Sequence, residues 1–143
     1  MYQFRKREES GVDEETEKLA EVVIGAAIEV HRELGPGLTE IAYHKALSHE
    51  LDLRGIPHQC EVPVDIYYKG KLVGAGRIDI LVAERLVVEV KAVEALNPTH
   101  RAQTITYLQV KKLQLGLLIN FNVVILKDGI KRVINTYLAS PSR

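Results

Sequence analysis

The segment RIDILVAERLVVEVKAV, residues 77–93, sets Asp79, Glu89 and Lys91 among aliphatic neighbours. Charge is costly inside an apolar strand, so three such groups within fifteen residues need a common reason. Two carboxylates and an ammonium that converge can cage a hard dication, and oxygen-only ligation favours Mg²⁺ or Mn²⁺ over zinc. Convergence depends on strand register. Side chains alternate along a strand, so Arg77, Asp79 and Leu81 share one face, as do Val87, Glu89 and Lys91. A three-residue loop over 83–85 pairs position 82 with 86 and position 79 with 89. A two-residue loop would instead set Asp79 opposite Val90. In the first register the two acids lie about 5 Å apart at Cβ, with Lys91 roughly 7 Å along from Glu89. Repulsion between the acids then calls for a cation beyond Lys91, or for one acid to stay protonated. The alternative is an ordinary strand salt bridge made by Glu89 and Lys91, with no metal.

Two helices contribute further polar groups. On a wheel of residues 38–54, Ala42, Leu53, Ala46, Tyr43, Leu47 and Leu51 form an apolar arc, and Glu40 falls inside it between Leu47 and Leu51. A core-facing glutamate needs a partner. Glu50 falls in the same arc, and Glu40 would also be favoured near the helix N-terminus by the helix dipole. Gln103 and Tyr107 lie four apart, on one face with His100, Lys111 and Gln114. The opposite arc, Ala102, Ile105, Leu108, Leu113 and Leu115, is the expected core side.

The elements that must position these groups follow from periodicity. Residues 14 to about 34 carry a helical apolar stripe that ends at Gly35-Pro36-Gly37, and a second helix runs from about 39 to 54. Residues 59–68 alternate as a strand, with Pro63 marking an edge or bulge. Residues 69–71 turn into strands over about 72–82 and 86–93. Asn97 and Pro98 start a third helix reaching about Gln114. Residues 115–126 read as a fully buried strand, and Asp128-Gly129 as a hairpin turn into a last strand over 130–138. The order is α-α-β-β-β-α-β-β. Near-continuous apolar character in strands 2, 3 and 4 implies cover on both faces. The expected fold class is α/β (α+β), with a mixed central sheet flanked by helices. Residues 1–13 read as a flexible charged lead-in, and 14–143 as a single domain.

Composition narrows the function classes. Of 143 residues, 46% are hydrophobic and 27% charged, as in ordinary globular chains. No apolar run approaches the ~20 residues of a membrane span. The first residues, MYQFRKREES, lack the apolar core of a secretory signal. The single cysteine, Cys60, allows no internal disulfide, so a cytoplasmic setting is expected. Lys plus Arg and Asp plus Glu balance at 19 each, so nucleic-acid binding would rest on local patches or metal ions.

The stretch GLTEIAY, residues 37–43, has the pattern G-x-x-E-x-x-Y, and residues 18–135 resemble the GxxExxY family of the PD-(D/E)xK nuclease superfamily. The resemblance implies a restriction-endonuclease-like α-β-β-β-α-β core and a Mg²⁺- or Mn²⁺-dependent nuclease. Asp79 resembles the superfamily's metal-binding aspartate, Glu89 and Lys91 its E-x-K pair, and Glu40 the helical acid that some branches add. Gln103 and Tyr107 resemble a Q-x-x-x-Y motif. No proline precedes Asp79. In such a site Asp79, Glu89, Glu40 and the Val90 carbonyl would hold the metal. Lys91 would act on the water or the phosphorane charge. Gln103, Tyr107 and Arg77 would hold phosphate, although Arg77 would alternatively neutralise Asp79. The implied partner is nucleic acid, DNA before RNA, with a homodimer as a variant. A non-catalytic binding module on the same fold, or a scaffold of buried salt bridges, are the rival readings.

Overall fold

The structure is a computed structural model that describes residues 11–139. Helix α1, Glu14–Leu34, begins where the Asp13 carboxylate accepts the Thr16 amide and ends at Gly35, whose φ of 68° suits glycine. Helix α2, Glu40–Leu53, is capped by Thr39. Strands β1, His58–Tyr68, β2, Lys71–Val82, and β3, Leu86–Lys91, follow as a meander. Helix α3, Pro98–Lys111, opens on Asn97 as N-cap with Pro98 in its first turn, as the sequence predicts, and His100 completes a capping box. It stops short of Gln114 because Lys112 adopts a left-handed conformation, φ 58°. Strand β4, Leu115–Asn120, a 3₁₀ turn, Leu126–Gly129, strand β5, Ile130–Ile134, and a short helix α4, Thr136–Ala139, complete the chain.

The five strands stand in chain order, β1-β2-β3-β4-β5. All neighbours are antiparallel except β3 and β4, which are parallel and joined through α3. Helices α1 and α2 cover one face of β3 and β4, packing Val23, Ala27, Leu47 and Leu51 on Leu86, Val88, Val90, Leu117 and Ile119. The other face holds a smaller core of Tyr107 and Leu108 from α3 with Leu81, Val87 and Leu118. Glu89 shares strand parity with Val87, so it faces the α3 side.

Four expectations need correction. Residues 1–10 of the expected lead-in lie outside the described residues, but Val12 is buried in the main core and Asp13 caps α1. The strand expected over 115–126 ends at Asn120. Strand β3 stops at Lys91, so the chain beyond Phe121 has no strand to pair with, and Val124 is 86% exposed. Strand β5 is likewise shorter than expected, because the chain turns into α4 after Asn135. Finally, Leu108 faces inward as expected, but α3 also turns Thr104 and Tyr107 inward, whereas Ala102 is exposed. The helix seats close to the sheet at two glycines. A Cβ on Gly76 would lie 2.6 Å from the Tyr107 hydroxyl, and one on Gly116 would lie 2.9 Å from the Thr104 methyl.

Candidate active site

The loop between β2 and β3 fixes the register. Ala83 and Glu84 both take left-handed φ, 52° and 56°, and the Arg85 amide donates to the Val82 carbonyl at 2.9 Å. Positive φ at two successive turn residues suits the twist of a tight hairpin, here achieved without glycine. The strands then pair Val82 with Leu86, Leu81 with Val87 and Ile80 with Val88. This is the register that brings Asp79 and Glu89 level.

At Asp79 the strand loses its regular alternation. Ile80 and Val82 pack in the core under α1 and α2, but Ile78, which should side with them, packs with Val64 and Tyr107 on the other. On the facing strand Glu61 has φ 57°, and the pairing steps from Cys60–Ile80 to Val62–Ile78. Side chains take up the main-chain groups of Asp79. Its N–H donates to Glu89 Oε2 at 3.0 Å, and its carbonyl lies 3.1 Å from His44 Nε2. A carbonyl only accepts, so His44 Nε2 is the donor.

The two carboxylates are cross-braced. Glu89 takes the Asp79 amide, while Asp79 Oδ2 takes the Val90 amide at 2.8 Å. These bonds engage one oxygen of each. Asp79 Oδ1 and Glu89 Oε1 have no protein hydrogen-bond partner among the described residues. Glu89 is 3% exposed. Burial, reinforced by the neighbouring Asp79 charge, pushes its carboxyl up to about 8. Burial raises Asp79 as well, against the Val90 hydrogen bond and the positive charges of His44 and Lys91.

A cleft of ≈ 390 Å³ opens beside the pair, lined in part by Arg77, Asp79, Glu89, Lys91, Gln103 and Tyr107. Lys91 is half-buried and forms no salt bridge among the described residues. Arg77 is ion-paired with Glu61 at 2.7 Å, so it does not neutralise Asp79. The Tyr107 hydroxyl accepts the Arg77 amide at 3.3 Å, which leaves its own proton free. Val90 contributes through its main chain, since its side chain lies in the α1–α2 core.

Glu40 departs from expectation. It is exposed rather than core-facing and does not line the cleft. The buried face of α2 is carried by Tyr43, Leu47 and Leu51, while Leu53 is exposed. Residues 37–43 owe their pattern largely to folding. Gly37 has φ 104°, and Tyr43 stacks on Phe121 at 4.7 Å while its hydroxyl donates to the Gly35 carbonyl and accepts the Leu38 amide. The sequence reading missed His44, Glu61 and Gly76. His44 lies four residues after Glu40, one turn along the helix, and a glycine inside a strand signals a close neighbour.

The donor set fits a hard cation. Two carboxylates line one cleft, the Glu89 group buried and the Asp79 group half-buried, and each has an oxygen without a protein hydrogen-bond partner among the described residues. Among the described residues no three His, Cys, Asp or Glu side chains gather at metal-holding distance, so the side-chain ligands here are two carboxylates.

A family model for the PD-(D/E)XK nuclease superfamily matches residues 17–133. The chain belongs to this superfamily. The mixed five-stranded sheet with helices on both faces is consistent with its restriction-endonuclease-like fold. Membership in the PD-(D/E)XK superfamily points to nuclease-type chemistry on nucleic acid, for which divalent metals are the general cofactor. A solved structure described as "Crystal structure of SSO0001" is similar at 22% identity over 64% of this chain and 47% of that chain, with a TM-score of 0.48. No curated protein matches. Among the described residues of this PD-(D/E)XK chain, no helix is long and apolar enough to cross a membrane.

Proposed function

We propose that the chain is a metal-dependent nuclease that hydrolyses phosphodiester bonds in DNA, with RNA the less favoured substrate. The cross-braced carboxylates, which line one cleft with Lys91 and each keep an oxygen without a protein hydrogen-bond partner among the described residues, are the observation that carries this reading. Asp79, Glu89 and the Val90 carbonyl would hold Mg²⁺ or Mn²⁺; Glu40 stands outside the cleft and is left out of this set. A dication held there polarises the scissile phosphate and acidifies the attacking water.

The remaining roles belong to the chain's own groups. The Lys91 ammonium has donors only, so it stabilises negative charge as it builds on the phosphate. Tyr107 donates its free hydroxyl proton to a phosphate oxygen, and the Gln103 amide, which also lines the cleft, donates beside it. Arg77 is one-sidedly bound to Glu61, which leaves further N–H groups for the strand backbone. His44 holds the main chain of Asp79 and so positions the carboxylate.

A cleavage screen over single-stranded, duplex, branched and RNA substrates with Mg²⁺ and Mn²⁺ tests this. Wild type should cut at least one DNA. Asp79→Ala and Lys91→Ala should each lose about two orders of magnitude or more in rate with circular dichroism unchanged. Variants that cut as fast as wild type would exclude these roles.

A further inference from the structure

The β1–β2 hairpin runs well past the sheet. Strand β3 meets β2 only at Ile80, Leu81 and Val82, so the outer length of the hairpin pairs only with itself. Its tip is tight, with Lys69 and Gly70 at φ 49° and 83° between the paired Tyr68 and Lys71. Apolar surface is exposed there: Tyr67 and Tyr68 are each 62% exposed, Leu72 53% and Val73 56%. Tyr67 pairs with Leu72 and Tyr68 with Lys71, so successive residues put one tyrosine on each face of the tip. The Lys69 ammonium lies 5.3 Å from the centre of the Tyr68 ring.

We propose that this tip is a stacking platform for unpaired nucleotides of the strand entering the cleft; this rests on the nuclease reading and extends it to substrate form. A protein partner would favour one continuous apolar face, whereas here two phenol rings point to opposite sides and lysines flank them. Bases stack on such rings without regard to sequence, and lysines pair with the phosphates between them. The same strand leads to the chemistry, because β2 carries Val73 at the tip and Ala75, Gly76, Arg77 and Asp79 in the cleft. Seven strand steps from Leu72, the partner of Tyr67, to Asp79 span about 23 Å. At ~3.4 Å per stacked base that is a run of about seven nucleotides. The site therefore takes single-stranded DNA, or the unpaired end or flap of a duplex.

The test compares wild type with Tyr67→Ala/Tyr68→Ala by fluorescence anisotropy. The probes are a labelled thymidine oligonucleotide and a blunt duplex of equal length, in EDTA so that nothing is cut. The double variant should bind the single strand roughly tenfold or more weakly, with little change on the duplex. With Mn²⁺ it should hydrolyse bis(p-nitrophenyl) phosphate, too small to reach the tip, as wild type does. Single-strand affinity within about twofold of wild type overturns the proposal. So does a dimer that becomes a monomer in the variant while single-strand binding is unchanged, since the tip would then meet a second copy. If wild type hydrolyses neither DNA nor the small diester but its single-strand binding still depends on the tyrosines, the nuclease reading fails and the platform stands.

Discussion

Asp79 and Glu89 owe their state to where they sit. Glu89 is raised from 4.5 to about 8 by burial and by Asp79, so between these values the native chain holds a proton that the unfolded chain releases. Stability therefore falls as pH rises through that window, by up to about 1.4 kcal/mol per pH unit, and the loss is absent below the unfolded value. Asp79, also raised, adds in the same direction. Denaturant titrations in EDTA at several pH values across this window should show wild type losing stability toward the alkaline end. Glu89→Gln should flatten most of that slope, and an unchanged slope in the variant would contradict the assignment. This pair was legible in the sequence because loop length and strand alternation are local rules. Glu40 was not, since a short helix with few apolar residues gives a broad wheel arc, and only the packing decides its inner edge. His44 and Glu61 were hidden for a different reason. Their contacts with the Asp79 carbonyl and with Arg77 form across elements, where no spacing in one segment reports them.

Strand β2 and helix α3 meet through a missing side chain. The Tyr107 ring occupies the space a Cβ on Gly76 would need, with ring carbons 2.7 and 3.0 Å from that position. Gly76→Ala should cost about 1–3 kcal/mol of stability, because a buried ring against strand backbone has little room to give. The cost should shrink when Tyr107→Ala is also present. A double-mutant cycle should return a coupling of about 1 kcal/mol or more, and strict additivity would show that the contact is not what sets the glycine. The start of α3 was written in the sequence by Asn97 and Pro98, whereas its inward face was not. Thr104 and Tyr107 are polar by type, and their burial follows from glycines on other strands. The run over 115–126 misled in the opposite sense. Its apolar residues suit a strand, but a strand needs a neighbour, and β3 ends first.

The two ends of the described chain are locked together. Arg132 of β5 forms a two-pronged ion pair with Glu17 of α1, both bonds 2.9 Å, although 115 residues separate them. The Glu17 side chain is 7% exposed, so removing it strands a poorly solvated guanidinium. Glu17→Ala should cost about 3 kcal/mol, whereas Glu17→Met with Arg132→Met should recover most of it. Equilibrium denaturation of the two variants checks both. Glu17 and Arg132 gave no sign of each other in the sequence, because each reads as an ordinary surface charge until β5 is placed beside β4.

The break at Glu61 also bears on how the protein behaves when crowded. Strand β1 is an outer strand of the sheet, and its free side is the natural template for an incoming chain. Pro63 has no N–H to offer such a strand, the left-handed Glu61 two residues earlier interrupts the extended backbone, and the pairing with β2 shifts register between Ile66 and Tyr67. An added strand could match only short stretches on either side. The protein can thus carry an apolar, tyrosine-tipped hairpin in the open without supplying a continuous ladder on which fibres would grow.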